Sequence, residues 1–312
     1  TELTQAFRDV KKAFDPAGIM NPGKIFDTPD IKENLRFGDS YRTSEITTRM
    51  NFRAEGGFAA AVEMCNGVGA CRKLHAGAMC PSYMATREEK HTTRGRANAL
   101  RGVLSGSLPA ESFASKNLID VLDLCLGCKS CKSECPSNVD MAKIKYEYLY
   151  QYYKGRKVPL GSRLVADIHR LNTLAAPLAP LVNVVNRSAP VKLLFEKVAG
   201  FDRSRPMPRV VRNTFQKWFD GREARGTNSR GTVVLFHDTF MNFNHPSIGK
   251  SATHLLEALG FEVVVLKDRK CCGRPMISKG LLDQAGDNAH HNVELLHPYV
   301  QQGIKIVGCE AS

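Results

Sequence analysis

The sequence has no apolar run approaching the ~20 residues that a membrane-spanning helix needs. The nearest candidate, 174–185, is broken by Pro177, Pro180 and Asn183. Nothing in it resembles a secretory signal peptide. No block of five or more consecutive Lys or Arg occurs, although Lys+Arg number 44 against Asp+Glu 31, a net charge of +13. These absences argue against a spanning protein and against nucleic acid as the partner. An excess of cations still needs a counter-charge. Thiolate-bound metal clusters are anionic and absent from the formal count, so part of the excess is assigned to them; an anionic membrane surface is the other partner that such a charge suits.

A disulfide framework is also missing. There are ten cysteines, but seven lie in two runs that each close on Cys-Pro, and Cys271-Cys272 are adjacent, a poor arrangement for bridging each other. Metal-bound thiolates in a reducing cytoplasm are the better account.

What is present is Cys125-Leu-Gly-Cys128-Lys-Ser-Cys131-Lys-Ser-Glu-Cys135-Pro136, a C-x2-C-x2-C-x3-C-P run. This is the bacterial ferredoxin spacing, in which three thiolates hold one cluster and the fourth ligates another. The run therefore calls for a second one, and Cys65, Cys71 and Cys80-Pro81 lie upstream. Crossing the ligands assigns Cys125, Cys128, Cys131 and Cys80 to a [4Fe-4S] cluster. Cys65, Cys71 and Cys135 form the other site. Its middle position is Val68, which cannot ligate, so that site is either [3Fe-4S] or a [4Fe-4S] cluster with a substitute ligand such as water, a carboxylate or His75. Paired C-x2-C could instead hold structural zinc; neither the third cysteine at the same step nor the two Cys-Pro ends is explained that way.

The 312 residues suggest two to three domains. Thr4 to Phe14 reads as a short basic helix stopped by Asp15-Pro16 and Asn21-Pro22-Gly23, marginal alone and expected to dock on a preceding domain. Residues 28–60 read as a linker that wraps the next domain. From 61 to 155 the cysteine runs alternate with helices: Pro81 at a first helical position, a helix from Arg94 to Leu104 capped by Thr92 or Thr93, a stripe of Leu118, Leu122 and Leu126, and Met141 to Tyr153. The Tyr-rich end of that last helix reads as packing rather than a quinone contact. Residues 156–228 read as a helical connector broken by prolines. The final part alternates strand (231–238), helix (245–259), strand (261–267), helix (281–302) and strand (304–307), an α/β unit with a parallel sheet. The fold class is thus multidomain α plus α/β, with an all-helical dicluster ferredoxin first.

Cys271-Cys272-Gly273-Arg274-Pro275 is expected directly after the second strand and Cys309 after the third, at the edge where α/β sheets build sites. Those three cysteines could hold a metal or cluster, or be buried and inert. Asp238 and His237 share the edge, as ligands or as an ordinary strand end. Arg94 and Arg96 could donate to cluster sulfides or merely start a solvated helix.

The segment from Cys65 through Cys80-Pro81 with Arg94-Gly95-Arg96 resembles the iron–sulfur part of FAD-linked D-lactate or D-2-hydroxyacid dehydrogenases, and is similar to the glycolate oxidase iron–sulfur subunit. Residues 1–27 resemble the tail of an FAD-linked oxidase C-terminal domain; 229–312 resemble a cysteine-rich CCG domain that stops short. Two positions depart from the family pattern: Val68 stands where the glycolate oxidase subunit has Cys, and His237-Asp238-Thr239 stands where the CCG domain has an upstream Cys. The resemblance implies a fragment of a longer chain whose missing N-terminal part binds FAD and oxidises the hydroxyacid. The clusters here would pass electrons singly towards a quinone or cytochrome, in the cytoplasm or peripherally at the inner face of a membrane. It implies no catalytic residue in this segment. An iron–sulfur subunit of a disulfide- or quinone-reducing complex, with a catalytic CCG site, is the alternative reading.

Overall fold

Short helices set by caps and turns, not long amphipathic ones, carry most of the chain. The computed structural model describes residues 1–33, 35, 37–38, 40–223 and 228–310. Helix α1 (Glu2–Phe14) is capped by Thr1 and buries none of its residues. The dicluster region comes next: α2 (Phe58–Glu63), α3 (Pro81–Thr86), α4 (Thr93–Leu104), α5 (Lys116–Asp123), α6 (Ser130–Glu134) and α7 (Met141–Tyr153). Thr92, Ser115 and Asp140 cap α4, α5 and α7 through their side-chain oxygens, each satisfying an N–H that the helix leaves open. Pro81 does occupy the first turn of α3.

One core joins these helices. It includes Val62, Leu100, Leu122, Ile144 and Tyr148, with Cys65, Cys71, Cys80 and Cys131 embedded in it. Two sequence expectations fail here. Phe52 and Phe58, inside the stretch read as linker, are core residues. Leu126 does not continue the Leu118–Leu122 stripe: α5 ends at Asp123, and Leu126 is 69% exposed in the loop beyond. The helical period stops one turn earlier than the leucine spacing suggests, because the cysteine loop takes over there.

The connector forms α8 (Leu160–Ala166), α9 (Ile168–Ala175), α10 (Ala179–Arg187), α11 (Ala189–Ala199) and α12 (Phe215–Asp220). The C-terminal region has β1 (Thr232–Phe236), α13 (Thr239–Phe243), α14 (Pro246–Ala258), β2 (Glu262–Val264), α15 (Arg274–Ser278), α16 (Leu282–Gln301) and β3 (Lys305–Gly308). The strands form a parallel sheet in the order β2-β1-β3, with Val233 opposite both Val263 and Lys305. The central strand β1 buries Val233, Val234 and Leu235, as a strand covered on both faces must. Strand β2 is shorter than the expected 261–267, so Cys271 does not follow it directly. A six-residue segment, 265–270, intervenes and carries the buried Arg269.

One polar contact ties the sheet region to the helical one, and a buried carboxylate anchors the residue that makes it. Asp283 on α16 accepts from Arg49 Nε at 2.9 Å and from Tyr150 Oη at 3.2 Å. Glu147 on α7, fully buried, accepts from the backbone N–H groups of Arg49 and Met50. The start of α15 faces the cysteine loop before α6, with Cys128 and Arg274 lining one cavity.

Candidate metal centres

Cys80, Cys125, Cys128 and Cys131 line one small cavity. They come from two runs, with Cys80, the last of the first run, 45 positions before Cys125, the first of the second, and it is the pairing of α3 and α4 with the loop before α6 that unites them. No carboxylate or imidazole lines this cavity, whereas Arg96 and Lys129 do. Thr93 serves Cys80 from both its N–H, at 3.1 Å, and its hydroxyl, at 3.0 Å. Cys131 is raised by burial and held down by hydrogen bonds from the backbone of Met141 and Ala142, the open N–H groups at the start of α7, which favour negative charge. Four soft donors, two cations and aligned N–H groups suit an anionic thiolate-ligated cluster. The loop that presents Cys128 depends on Gly127. Its φ is +66°, and a Cβ there would overlap the Tyr146 hydroxyl, which donates to the Gly127 carbonyl at 3.2 Å.

The second set is looser. Cys65 and Cys71 are buried and Cys135 is half-buried. Burial raises the Cys65 thiol, and the nearby Cys71 and Cys135 raise it further, so the three are neighbours as the crossed assignment requires. Cys71 also accepts a hydrogen bond from Cys80, which with the Arg94 N–H and the Thr92 hydroxyl brings it down to about 6. The thiol that the spacing assigns to one site thus touches a thiol assigned to the other. Val68 is 61% exposed on a loop with Gly67 and Gly69 at positive φ, and His75 is exposed.

The two arginines have specific roles. Arg94 is clamped by Glu89 and donates to the Gly67 carbonyl at 3.0 Å, bracing the Val68 loop. Arg96 is only 1% exposed and donates to the Val121 carbonyl and the Ser82 hydroxyl. Neither is a solvated helix start. Sequence reasoning missed two further tethers. Glu134 accepts from the N–H groups of Ala78 and Met79, tying the approach to Cys80 to the end of α6. Lys145, buried, donates to the carbonyls of Asp123 and Cys125. A charged residue inside an apolar helix was the available signal for Lys145; nothing in the sequence singled out Glu134.

The sheet edge is a different environment. Cys271 is buried and Cys272 exposed. A hydrogen bond from Cys272, together with Thr239, the Gly273 N–H and Arg269, brings Cys271 down to about 6. Cys272 is raised by that same bond, by burial and by the charges of Cys271 and Asp238. Burial and then Asp238 raise Cys309, which is exposed and, among the described residues, bonds to neither member of the pair. Asp238 spends one carboxylate oxygen on the N–H groups of Phe240 and Met241 as the cap of α13. His237 is pushed down to about 2 by burial and Arg269, and its Nδ1 has no partner. Among the described residues, no three His, Cys, Asp or Glu side chains converge on a single-ion site anywhere in the molecule.

Comparison with known proteins gives the class. The 4Fe-4S dicluster domain family matches residues 61–139, the C-terminal domain of FAD-linked oxidases matches 1–25, and the cysteine-rich domain matches 234–310. The chain therefore joins the end of an FAD-linked oxidase C-terminal domain to an iron–sulfur dicluster domain and a cysteine-rich domain, a combination that supports an electron-transfer role. Among curated relatives, it is similar to a subunit of the anaerobic glycerol-3-phosphate dehydrogenase of Escherichia coli, 30% identical over 57% of this chain and 45% of that one. It is similar to the D-2-hydroxyglutarate dehydrogenase of Pseudomonas putida, 28% identical over 99% of this chain and 35% of that protein. It also resembles the probable glycolate oxidase iron–sulfur subunit of Bacillus subtilis, 24% identical over 62% of this chain and 46% of that one. The chain thus spans less than half the length of these relatives. No solved structure matches it. No helix among the described residues is long and apolar enough to cross a membrane.

Proposed function

We propose that this chain is the electron-transfer region of an FAD-dependent D-2-hydroxyacid dehydrogenase, of the D-lactate or glycolate kind. Cys80, Cys125, Cys128 and Cys131 hold a [4Fe-4S] cluster. Cys65, Cys71 and Cys135 hold a second cluster, [3Fe-4S] or [4Fe-4S]. Cys271, Cys272 and Cys309 offer a further metal or cluster position at the sheet edge. The observation that carries the reading is the single cavity lined by four thiols from two separate runs and by no other metal donor. Among the described residues these thiols do not converge on a single-ion site, which favours a polynuclear cluster over a lone zinc ion.

When bound, the clusters supply one-electron redox chemistry. The residues of this chain would hold them poised: Cys80 and Cys131 are buried while Cys128 reaches the surface, Thr93 and the start of α7 donate to Cys80 and Cys131, and Arg96 and Lys129 supply positive charge. The flavin lies in another part of the same polypeptide. Helix α1 supports this, since Leu3, Phe7, Val10 and Phe14, on one helical face, are all more than half exposed, a face suited to packing on a flavin module. The electrons leave to a quinone or cytochrome, and the protein works in the cytoplasm, peripheral to the inner face of the membrane. By itself the segment oxidises no hydroxyacid.

Anaerobic purification with iron and sulfide analysis, beside electron paramagnetic resonance of oxidised and dithionite-reduced samples, tests the proposal. A cubane signal on reduction is expected, with a near-isotropic signal in the oxidised sample if the second cluster has three irons. A colourless chain that takes up zinc stoichiometrically, and no iron after reconstitution, would overturn it.

A further inference from the structure

Helices α8 to α11 and the segment after them enclose a cavity of about 720 Å³, closed on the sheet side by Phe240, Arg274 and Pro275. That is the size of a site for a drug-sized organic ligand. Of the residues lining it, only Asn172, Asn186 and Arg274 are polar. Asn172 is already engaged, donating to Asn244. Arg274 is not: among the described residues its guanidinium makes no hydrogen bond or ion pair. An apolar chamber with one unspent cationic donor at its end fits an uncharged amphiphile with an acceptor oxygen at one end and a hydrocarbon body.

The position of Arg274 narrows the class. The same side chain lines a second cavity, of about 560 Å³, shared with Cys128, Lys129, Tyr146 and Cys272. A group hydrogen-bonded to Arg274 would sit where the connector chamber meets the space between the cysteine loop and the Cys271-Cys272 turn. The connector helices, for their part, turn Leu174, Leu178, Leu181 and Val184 outward, each at least 60% exposed, so the chamber is walled by helices that favour lipophilic surroundings. A ligand that is lipophilic along its body and electron-accepting at its oxygen-bearing end meets both conditions.

We infer that this chamber is the seat of a lipophilic quinone, its ring carbonyl on Arg274. The inference rests on the electron-transfer reading above and names the acceptor's site within it. The balance is simple: one D-2-hydroxyacid gives up two electrons and two protons at the flavin, the clusters carry the electrons one at a time, and the quinone takes two electrons plus two protons from water to leave as the quinol.

Binding is the test, because it does not require turnover. Decylubiquinone and menadione are titrated against the purified chain, with and without reconstituted clusters, by equilibrium dialysis. Saturable binding of one quinone per chain is expected. Val182→Trp, which fills the chamber, should abolish it, and Arg274→Gln should weaken it about tenfold, the loss of one charge-assisted hydrogen bond. Circular dichroism and the paramagnetic signals of each variant check folding. Should Val182→Trp misfold, a photoreactive azidoquinone on the wild-type chain replaces it, and label on 164–186 or 274–275 is expected. Intact clusters with no saturable quinone binding would overturn the site while leaving the relay standing. The same holds if decanoate binds in an Arg274-dependent way and quinones do not, or if the label falls elsewhere. A chain without iron would sink the relay reading whatever the quinone does.

Discussion

The cysteine cavity of the helical region and the cysteine edge of the sheet region use the same residue type to opposite effect. In the first, four thiols are gathered from two runs, no acid lines the cavity, and Thr93 and the start of α7 donate to sulfur. In the second, an adjacent pair shares its own hydrogen bond, Cys309 stands apart, and Asp238, His237 and Arg269 crowd the same edge. The first arrangement is a set of thiols suited to act as ligands together. The second is a mixed polar site whose electrostatics are settled largely among the protein's own groups. Burial alone does not separate them, since Cys131 and Cys271 are both buried. The difference lies in whether a carboxylate shares the lining with the thiols: none does in the helical cavity, whereas Asp238 acts on both Cys272 and Cys309.

The largest effect that can break this contrast is loss of a cluster. Cys131→Ser should remove the cubane signal and about half of the bound iron, whereas Cys272→Ser should leave both unchanged in the dicluster region. Iron analysis with paramagnetic resonance reads both; equal losses would make the sheet edge a full partner in cluster binding. Next in size is Val68→Cys. Its side chain now points largely to solvent on a loop made permissive by Gly67 and Gly69. If the Cys65 site holds three irons, the added thiol should convert it to four, and the oxidised-state signal should vanish with a gain of about one iron per chain.

The two regions also differ in how far the sequence revealed them. The grouping of thiols around the helical cavity followed from spacing because the C-x2-C-x2-C loop has few ways to fold and Cys-Pro fixes where a helix starts. The ties that place the two runs together were not legible. Glu134 holding the Ala78 and Met79 amides, and Lys145 filling the carbonyls at the end of α5, are long-range polar contacts that leave no periodic trace. The sheet was read correctly as three parallel strands, since β1 and β3 are short apolar runs bounded by turns; its order, β2-β1-β3, was not read. The length of β2 was overread because Val264-Val265-Leu266 is apolar whether or not it pairs. The connector cavity was invisible for a plainer reason: its walls are ordinary helix-packing residues, and only their failure to meet in the middle makes a site.

A third prediction concerns the anchor behind the tie between the regions. Glu147 is fully buried and its carboxylate holds two backbone N–H groups and the Gln151 side chain. Glu147→Ala should cost about 3 kcal/mol, the loss of charge-assisted bonds plus the stranding of their donors. Asp283→Ala, at an exposed contact across the same junction, should cost less than about 1 kcal/mol. Denaturant unfolding of the two variants in parallel reads the difference; equal costs would mean that the junction, not the buried anchor, limits stability.

The smallest effect discriminates most finely. Thr92 and Thr214 both cap a helix through their hydroxyls, to Gly95 N at 2.8 Å and to Lys217 N at 3.2 Å. Replacing either with Ala should lower stability by about 1 kcal/mol. Only Thr92 also donates towards Cys71. A hydrogen bond to a ligating sulfur stabilises the more negative, reduced cluster, so its loss should shift the midpoint of the second cluster to a lower potential. A redox titration followed by paramagnetic resonance should therefore show that shift in Thr92→Ala and none in Thr214→Ala, at matched stability. If both midpoints stay put, Cys71 is held by the Arg94 amide and its neighbouring thiol without help from the cap. The contrast between a tuned helical site and a self-contained sheet edge would then rest on ligand geometry alone.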